Sequence, residues 1–357
     1  MAVNKEANGT WTVQCWYRNW LNERHKRTKR GFRTKSEAAK WEREFLLKAS
    51  GSPEMTFSDF LKVYGEDVSP RLKLNTWMTK KYIIDTKILP YFKDKKLSDI
   101  APADILSWQT ALITHEKKGG GKYSKTYLRT VNNILASVFN HAVRYYGLES
   151  NPMHKVGKIG SAKADEMQFW TKDEYLAFSE EIMDKPTSHA IFEVLYWTGI
   201  REGEALALTP SDFDFDKGLL SITKSYQRID GEDHVTPPKT EKSNRVIAVP
   251  DFVCDEVRDY IALEGYEDGE RMFPVSKSYL YHEMERGCKA SGVKRIRVHD
   301  LRHSHVSMLI ELGFNVLAIA NRLGHESTDI TFRYAHMLPT TQGDMARALS
   351  EERMGGR

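Results

Sequence analysis

Five patches of this 357-residue chain gather arginine, lysine, histidine and tyrosine at spacings that could serve an anion. They are Thr198-Gly-Ile-Arg201-Glu-Gly-Glu204, Pro237-Pro-Lys239-Thr-Glu-Lys-Ser243, His299-Asp-Leu-Arg302-His303, Leu323-Gly-His325-Glu and Thr331-Phe-Arg-Tyr334-Ala-His336. Arg201 follows a glycine turn and opens a helix, where a cation opposes the macrodipole unless it serves an anion. His299 and Arg302 are three residues apart, so on a helix they point the same way. His325 follows Gly324, a position suited to a turn that presents a side chain. Glu204 reads as structural support for Arg201. His299, His303 and His305 could be taken for a metal cluster. Arg302 between them and the lack of a nearby carboxylate set oppose that, so no metal is expected. His303 and His305 read instead as packing or solvent residues, and Tyr17, Tyr91 and Tyr127 as structural tyrosines.

These patches sit in a chain whose charge is unevenly spread. The whole carries +4, with 40 % hydrophobic and 29 % charged residues, which reads as globular and multidomain. Residues 1–50 hold twelve Lys or Arg against five Glu, a formal +7, so the other 307 residues carry −3. A basic terminal module on a near-neutral body is the pattern of a polyanion-binding appendage. Arg24, Lys26, Arg27, Lys29 and Arg30 are its candidate contacts. Three dispersed cysteines, Cys15, Cys254 and Cys288, rule out a disulfide framework and point to reducing cytoplasm. Cys254 and Cys288 read as buried apolar residues. No run is apolar enough for a membrane span, and the N-terminus lacks the apolar core of a secretory signal.

The elements that must position the patches fall into three segments. In residues 1–50, Thr10 to Trp20 reads as a strand, Asn22 to Arg30 as a basic turn, and Gly31-Phe32-Arg33 as a further short strand. Thr34-Lys-Ser-Glu37 is a capping box opening a helix to about Ala49, with Ala38, Trp41, Phe45 and Lys48 on one stripe. The result is a small sheet backed by one helix. Residues 54–155 read as helical, and the last helix is the clearest: Leu128, Val131, Leu135, Val138 and Ala142, widened by Phe139, form its apolar stripe. Lys125, Arg129, Asn132 and Asn133 form its opposite face, Asn151-Pro152 stops it, and a second linker covers 153–168. The third segment, 168–357, opens with the capping box Thr171-Lys-Asp-Glu174 and alternates helix with short strands. Gly218 to Thr223 and Asn244 to Val249 are strands flanking a turn-rich, basic hairpin region.

Taken in order, the patches resemble the tyrosine recombinases, the integrases of temperate phages and conjugative transposons. The likeness spans roughly residues 170–340 and includes the family's arginine, lysine, His-x-x-Arg, second histidine and tyrosine, the second histidine standing nine residues before the tyrosine. The middle segment, with Ser124-Lys-Thr126 before its long helix and Asn151-Pro152 after it, resembles the family's core-site-binding domain. The first module resembles its small arm-site-binding domain. The resemblance implies a mainly α multidomain fold with small β-sheets: an arm domain at 1–50, a SAM-like helical bundle at 54–155, and a mixed α/β catalytic domain at 168–357 with a tail at 337–357. It implies Arg201, Lys239, His299, Arg302, His325 and Tyr334 as catalytic residues, with Tyr334 the nucleophile and Lys125 and Arg129 as further DNA contacts.

The chemistry follows from the side chains. Tyr334, with an ordinary pKa of ~10, needs help to lose its proton. A phosphodiester under attack gathers extra negative charge on its oxygens, and fixed donors aimed there lower the barrier. Arg201 and Arg302 offer rigid forks that match two phosphate oxygens. His299 titrates near neutrality and can assist proton transfer, while His325 can donate to the phosphate. These cations suffice without a metal, and no cofactor or ATP is implied. By resemblance, Lys239 protonates the departing 5′-hydroxyl and Tyr334 becomes linked to the 3′-phosphate.

The resemblance further implies double-stranded DNA as partner, at core and arm attachment sites, a homotetramer on DNA, a directionality factor, and a nucleoid-associated location in a bacterial cytoplasm. A non-catalytic DNA-binding accessory protein and a type IB topoisomerase-like enzyme are the alternatives. The intact tyrosine speaks against the first and the arm-like module against the second. Met345, Leu349 and Met354 give the chain end an apolar character suited to docking in cis or on a neighbouring subunit.

Overall fold

The structure is a computed structural model that describes residues 2–7, 9–18, 24–50, 55–161, 168–238 and 241–324, with residues 346, 347, 350, 351 and 353 beyond them. The chain divides into two compact units, Met1–Asp165 and Glu166–Arg357. No helix among the described residues is long and apolar enough to cross a membrane.

The first unit opens with three antiparallel strands in the order β1 (Ala2–Lys5), β2 (Trp11–Arg18) and β3 (Arg24–Phe32), backed by helix α1 (Lys35–Ser50). Alternation along β2 sends Val13 and Cys15 into a small core with Phe32 and Ala38, while Trp16 is 55 % exposed on the other face. Trp41 stacks on Phe45 along the helix stripe. The described part of the expected basic turn, Arg24 to Arg30, is a strand instead. Lys26 pairs with Trp16 and Arg27 with Cys15, so cross-strand partners override a composition that reads as loop. The capping box is shifted by one position: Thr34 Oγ1 takes the Glu37 N–H, but the Glu37 carboxylate takes Arg33 N–H at 3.0 Å.

The same unit continues with helices α2 (Phe57–Val68), α3 (Leu74–Ile83), α4 (Leu89–Phe92), α5 (Pro102–Thr114) and α6 (Lys125–Tyr145). A π-helical turn, Ile84–Ile88, joins α3 to α4. The α6 stripe is buried as its periodicity predicts, against Phe57, Phe60, Ile88 and Trp108. Asn132 is a correction. It lies on the buried side, 2 % exposed, where its Oδ1 accepts from Gln109 Nε2 at 2.8 Å. A buried amide is tolerated when paired, and spacing alone does not reveal the pair. Helix α6 also ends earlier than expected, at Tyr145 rather than at Asn151-Pro152. Asn151 instead caps a one-turn 3-10 helix, Pro152–Lys155, by accepting the Met153 N–H at 2.8 Å.

The described part of the second linker, 153–161, is clipped to the helices. Gln109 Nε2 donates to Gly157 O, and Ser161 N–H donates to Lys125 O. One side-chain and one backbone hydrogen bond thus hold a segment whose composition reads as free.

The second unit contains α7 (Lys172–Glu180), α8 (Pro186–Thr198), the single-turn α9 (Glu202–Ala205), α10 (Asp251–Glu264), α11 (Lys277–Ser291), α12 (Asp300–Glu311) and α13 (Val316–Leu323). The predicted capping box is complete here: Thr171 Oγ1 takes Glu174 N–H and the Glu174 carboxylate takes Thr171 N–H. Strands β4 (Phe213–Asp214), β5 (Leu219–Ile222) and β8 (Arg245–Ala248) form one sheet, β5 pairing directly with β8. Between them, β6 (Ser225–Ile229) and β7 (Glu232–Thr236) make a separate hairpin. That hairpin is not basic as expected. Asp233 accepts from Tyr226 and Arg228 within it and from Arg271 outside. The core surrounds α8, where Phe192, Val194, Leu195 and Tyr196 pack against Tyr175, Phe178, Val253 and Leu301. Cys254 and Cys288 are buried in it.

Candidate active site and nucleic-acid interface

Arg201, at the start of α9, and Arg302, on α12, converge on the C-terminal turn of α13, and His299 stands at the head of the helix that carries Arg302. Helix α8 stops at Gly199, whose φ of +67° is the left-handed value that a C-terminal glycine supplies. A Cβ at Gly199 would lie 2.5 Å from His305 Cδ2, so only glycine lets α8 approach α12 this closely. Two residues later Arg201 caps α9. Its guanidinium Nη1 donates to Glu204 Oε1 at 2.7 Å, and its Nη2 donates to Gly324 O at 3.3 Å. The side chain remains 36 % exposed, enough to meet a ligand.

Arg302, on α12, is 4 % exposed. Nη1 donates to Gly199 O at 2.8 Å and Nη2 to Leu323 O at 2.7 Å. A buried guanidinium costs several kcal/mol unless its donors are satisfied, and backbone carbonyls from two elements do that work here. His299 caps α12, keeps solvent-exposed surface, and meets His303 edge to face at 5.4 Å. Close packing around its ring and then the Arg302 charge hold its pKa below the ordinary value. It is therefore neutral at pH 7 and able to accept a proton.

Glu204 is the acidic counterweight, with its side chain 3 % exposed. Burial pushes its carboxyl up, but the hydrogen bonds and charge of Arg245 and the charge of Arg201 outweigh this and keep it below the usual range. The carboxylate also accepts the Arg201 backbone N–H at 2.9 Å. Arg245 is the residue that sequence reasoning missed. The one signal was an arginine heading an otherwise apolar strand.

His303 is half-buried beside His299, and His305 behaves as a packing residue. His305 is buried, its Nδ1 facing Tyr196 O at 2.9 Å while Nε2 accepts from Arg322 Nε at 3.2 Å. Burial and the Arg322 charge push its pKa down to about 3, so it stays neutral, as accepting from an arginine requires. Lys239, His325 and Tyr334, together with Met345, Leu349 and Met354, lie outside the described residues. The described chain reaches Pro238 on one side and Gly324 on another, the residues that precede Lys239 and His325.

The candidate DNA contacts of the first unit divide between two faces. Arg24 and Lys26 lie over the exposed Trp16 ring, 4.6 and 5.7 Å from its centroid, on the face away from α1. Lys29 instead lies over Trp41 on the helix side, and Arg27 stands opposite the buried Cys15. Arg30 is exposed on the same strand. Lys125 is exposed at the start of α6, while Arg129 is half-buried. A Cβ at Gly160 would lie 2.6 Å from the Arg129 N, which shows how tightly residues 157–161 close over that turn.

Comparison with known proteins places this arrangement in a family. Residues 168–340 match the phage integrase family, residues 56–113 the SAM-like N-terminal domain of phage integrases, and residues 1–49 the arm DNA-binding domain. The ICEBs1 integrase of Bacillus subtilis is 28 % identical over 98 % of this chain and 100 % of its own length. The putative prophage phiRv2 integrase of Mycobacterium tuberculosis is 24 % identical over 75 % of this chain and 72 % of its own. In fold, the chain is similar to the Tn1549 transposon integrase solved with circular intermediate DNA. That match has a TM-score of 0.65 at 19 % identity, covering 84 % of this chain and 99 % of that one. A lambda integrase tetramer bound to a Holliday junction gives a TM-score of 0.58 at 19 % identity, covering 91 % and 96 %. The chain belongs to the phage integrase family of tyrosine recombinases. It is a site-specific recombinase, an enzyme of DNA cleavage and rejoining.

Proposed function

We propose that this chain integrates and excises a mobile element by cutting DNA with Tyr334 and holding the 3′-phosphate on that tyrosine until the strand is rejoined. Arg201 and Arg302 cradle the scissile phosphate, and their forks neutralise the charge that builds on its oxygens during attack. His299, neutral at pH 7, accepts the tyrosine proton or relays it. His325 donates to the phosphate, and Lys239 returns a proton to the departing 5′-hydroxyl. The phosphodiester energy is kept in the tyrosine ester, so no nucleotide is consumed.

The observation that supports this reading best is the convergence of Arg201, from α9, and Arg302, from α12, on the turn that leads into His325. The face carrying Trp16, Arg24 and Lys26 is the proposed arm-site surface, and Lys125 is a core-site contact in a three-module chain of residues 1–50, 54–155 and 168–357. Four copies assemble on paired sites in the bacterial nucleoid, with a directionality factor to favour excision.

The test is Tyr334→Phe in the full chain, which removes one hydroxyl. With an end-labelled nicked duplex, the parent should give a covalent adduct on a denaturing gel and the variant none, at unchanged DNA affinity. An adduct that persists in the Phe variant would falsify the assignment.

A further inference from the structure

Arg245 heads strand β8, and its side chain is 7 % exposed, so it is a buried charge that must be paired. Both arms of its fork hold Glu204: Nη1 donates to Oε1 at 3.2 Å and Nη2 to Oε2 at 2.9 Å. Nη1 also donates to Ser243 O at 2.9 Å, and Nε donates to Arg322 O at 2.9 Å. Its aliphatic stem lies under Gly324, where a Cβ would come within 3.1 Å of Arg245 Cδ. The guanidinium is thus committed to protein groups on three segments. These are α9 through Glu204, the stretch that follows Lys239 through Ser243, and the turn that precedes His325 through Arg322.

Glu204 passes that constraint to the half-exposed Arg201. By itself, a contact three residues along the chain between a glutamate and a partly exposed arginine fixes little, because the long side chain loses entropy in holding one geometry. Arg245 immobilises the carboxylate from its other side, and the carboxylate then fixes where the Arg201 fork points. Only a bidentate donor grips both oxygens at once, so lysine is a poor substitute.

We propose that Arg245 is a positioning residue for DNA cleavage, acting through Glu204 on the aim of Arg201. This rests on the reading of Arg201 as a ligand of the scissile phosphate. The side chain itself does not touch DNA. Its loss therefore slows the chemical step and leaves DNA binding alone.

The experiment uses the full chain and an end-labelled nicked duplex carrying the junction sequence recovered from cells that express it. Single-turnover adduct formation is measured at saturating DNA for the parent, Arg245→Lys, Arg245→Met, Arg201→Lys and the double variants. Each Arg245 variant should slow adduct formation on the order of 100-fold, the size of effect a small misplacement of a catalytic group produces. The dissociation constant for the duplex should stay within about twofold of the parent, and each double variant should be no slower than Arg201→Lys alone within that margin. Losses that multiply in the double variants, a parental rate in both Arg245 variants, or weakened binding that accounts for the slower cleavage would each overturn the proposal. If Arg245→Met fails to fold, the Lys variant and its cycle decide alone. A Lys variant that also fails to fold makes Arg245 a structural residue and overturns the proposal too. Failure of the underlying reading looks different: the parent and Tyr334→Phe would then form the same adduct, or neither would form any.

Discussion

Arg201 and Arg302 end on consecutive carbonyls, Arg201 Nη2 on Gly324 O at 3.3 Å and Arg302 Nη2 on Leu323 O at 2.7 Å. Two cations would repel each other if brought together without such acceptors. The C-terminal turn of α13 offers carbonyls that no longer serve the helix, at the negative end of its dipole. One backbone turn therefore gathers the charge of both arginines, the pair proposed to meet the phosphate.

The two arginines should fail in different ways. Arg201→Ala and Arg302→Ala should each cost about 2.7–4 kcal/mol of transition-state stabilisation, the size of losing one preorganised donor. Arg302→Ala should in addition destabilise the fold by about 1–3 kcal/mol, because it strands the carbonyls of Gly199 and Leu323 in a buried place. Adduct rates and thermal melts of both variants check this. Equal melting temperatures would show that the Arg302 bonds contribute nothing to stability, and near-parental rates for Arg→Lys variants would sink the bidentate clamp.

Gly324→Ala tests the turn itself. Its φ is +66°, and a Cβ there would lie 2.7 Å from Lys242 O. Gly313→Ala is the control, with φ +84° and nothing within 4 Å of the added Cβ. Both should lose about 1–3 kcal/mol to backbone strain. Only Gly324→Ala should also slow adduct formation sharply, since only it displaces the carbonyl under Arg201. A matched fall in cleavage in both variants would mean the turn has no special part.

A buried acidic pair away from the site makes stability depend on pH. His189, Glu193 and Glu256 bring one donor atom each within 4.8 Å of one another, and Glu256 Oε2 is buried with no hydrogen-bond partner. Burial, and then the Glu193 charge, push the Glu256 pKa up to about 7. The folded pKa lies above the unfolded value of about 4.3, so the native state binds the proton more tightly and stability falls as pH rises from there to 7. Glu256→Gln should thus match the parent at pH 4 and exceed it by about 1–3 kcal/mol at pH 8. Denaturant melts at both pH values, with chelator present so that no cation occupies the three donors, give the answer. The same offset at both would rule out the titration.

The arm face should announce itself through salt. Arg24→Ala with Lys26→Ala in the full chain should lower the salt dependence of arm-site binding by about one unit of slope for each lost phosphate contact. Core-site cleavage should be unchanged. Footprints and titrations at several salt concentrations decide it, and an unaltered slope would move the arm surface elsewhere.

The sequence by itself determined what local patterning can carry. The α6 stripe repeats every three to four residues, so burying it needs no knowledge of its partner, and Thr171 and Glu174 cap a helix through bonds three residues apart. The types and order of Arg201, His299 and Arg302 were legible for the same reason: a guanidinium or an imidazole advertises its chemistry wherever it sits. What tertiary structure alone decided are the long-range polar pairs. Asn132 is inside because Gln109 meets it across α5 and α6, and residues 24–32 are a strand because β2 supplies their partners. Glu204 is shared between two arginines because β8 delivers Arg245 to α9 from 41 residues away. A buried polar group is stable only with its partner in place, and which partner arrives depends on how distant elements pack, which no local periodicity encodes.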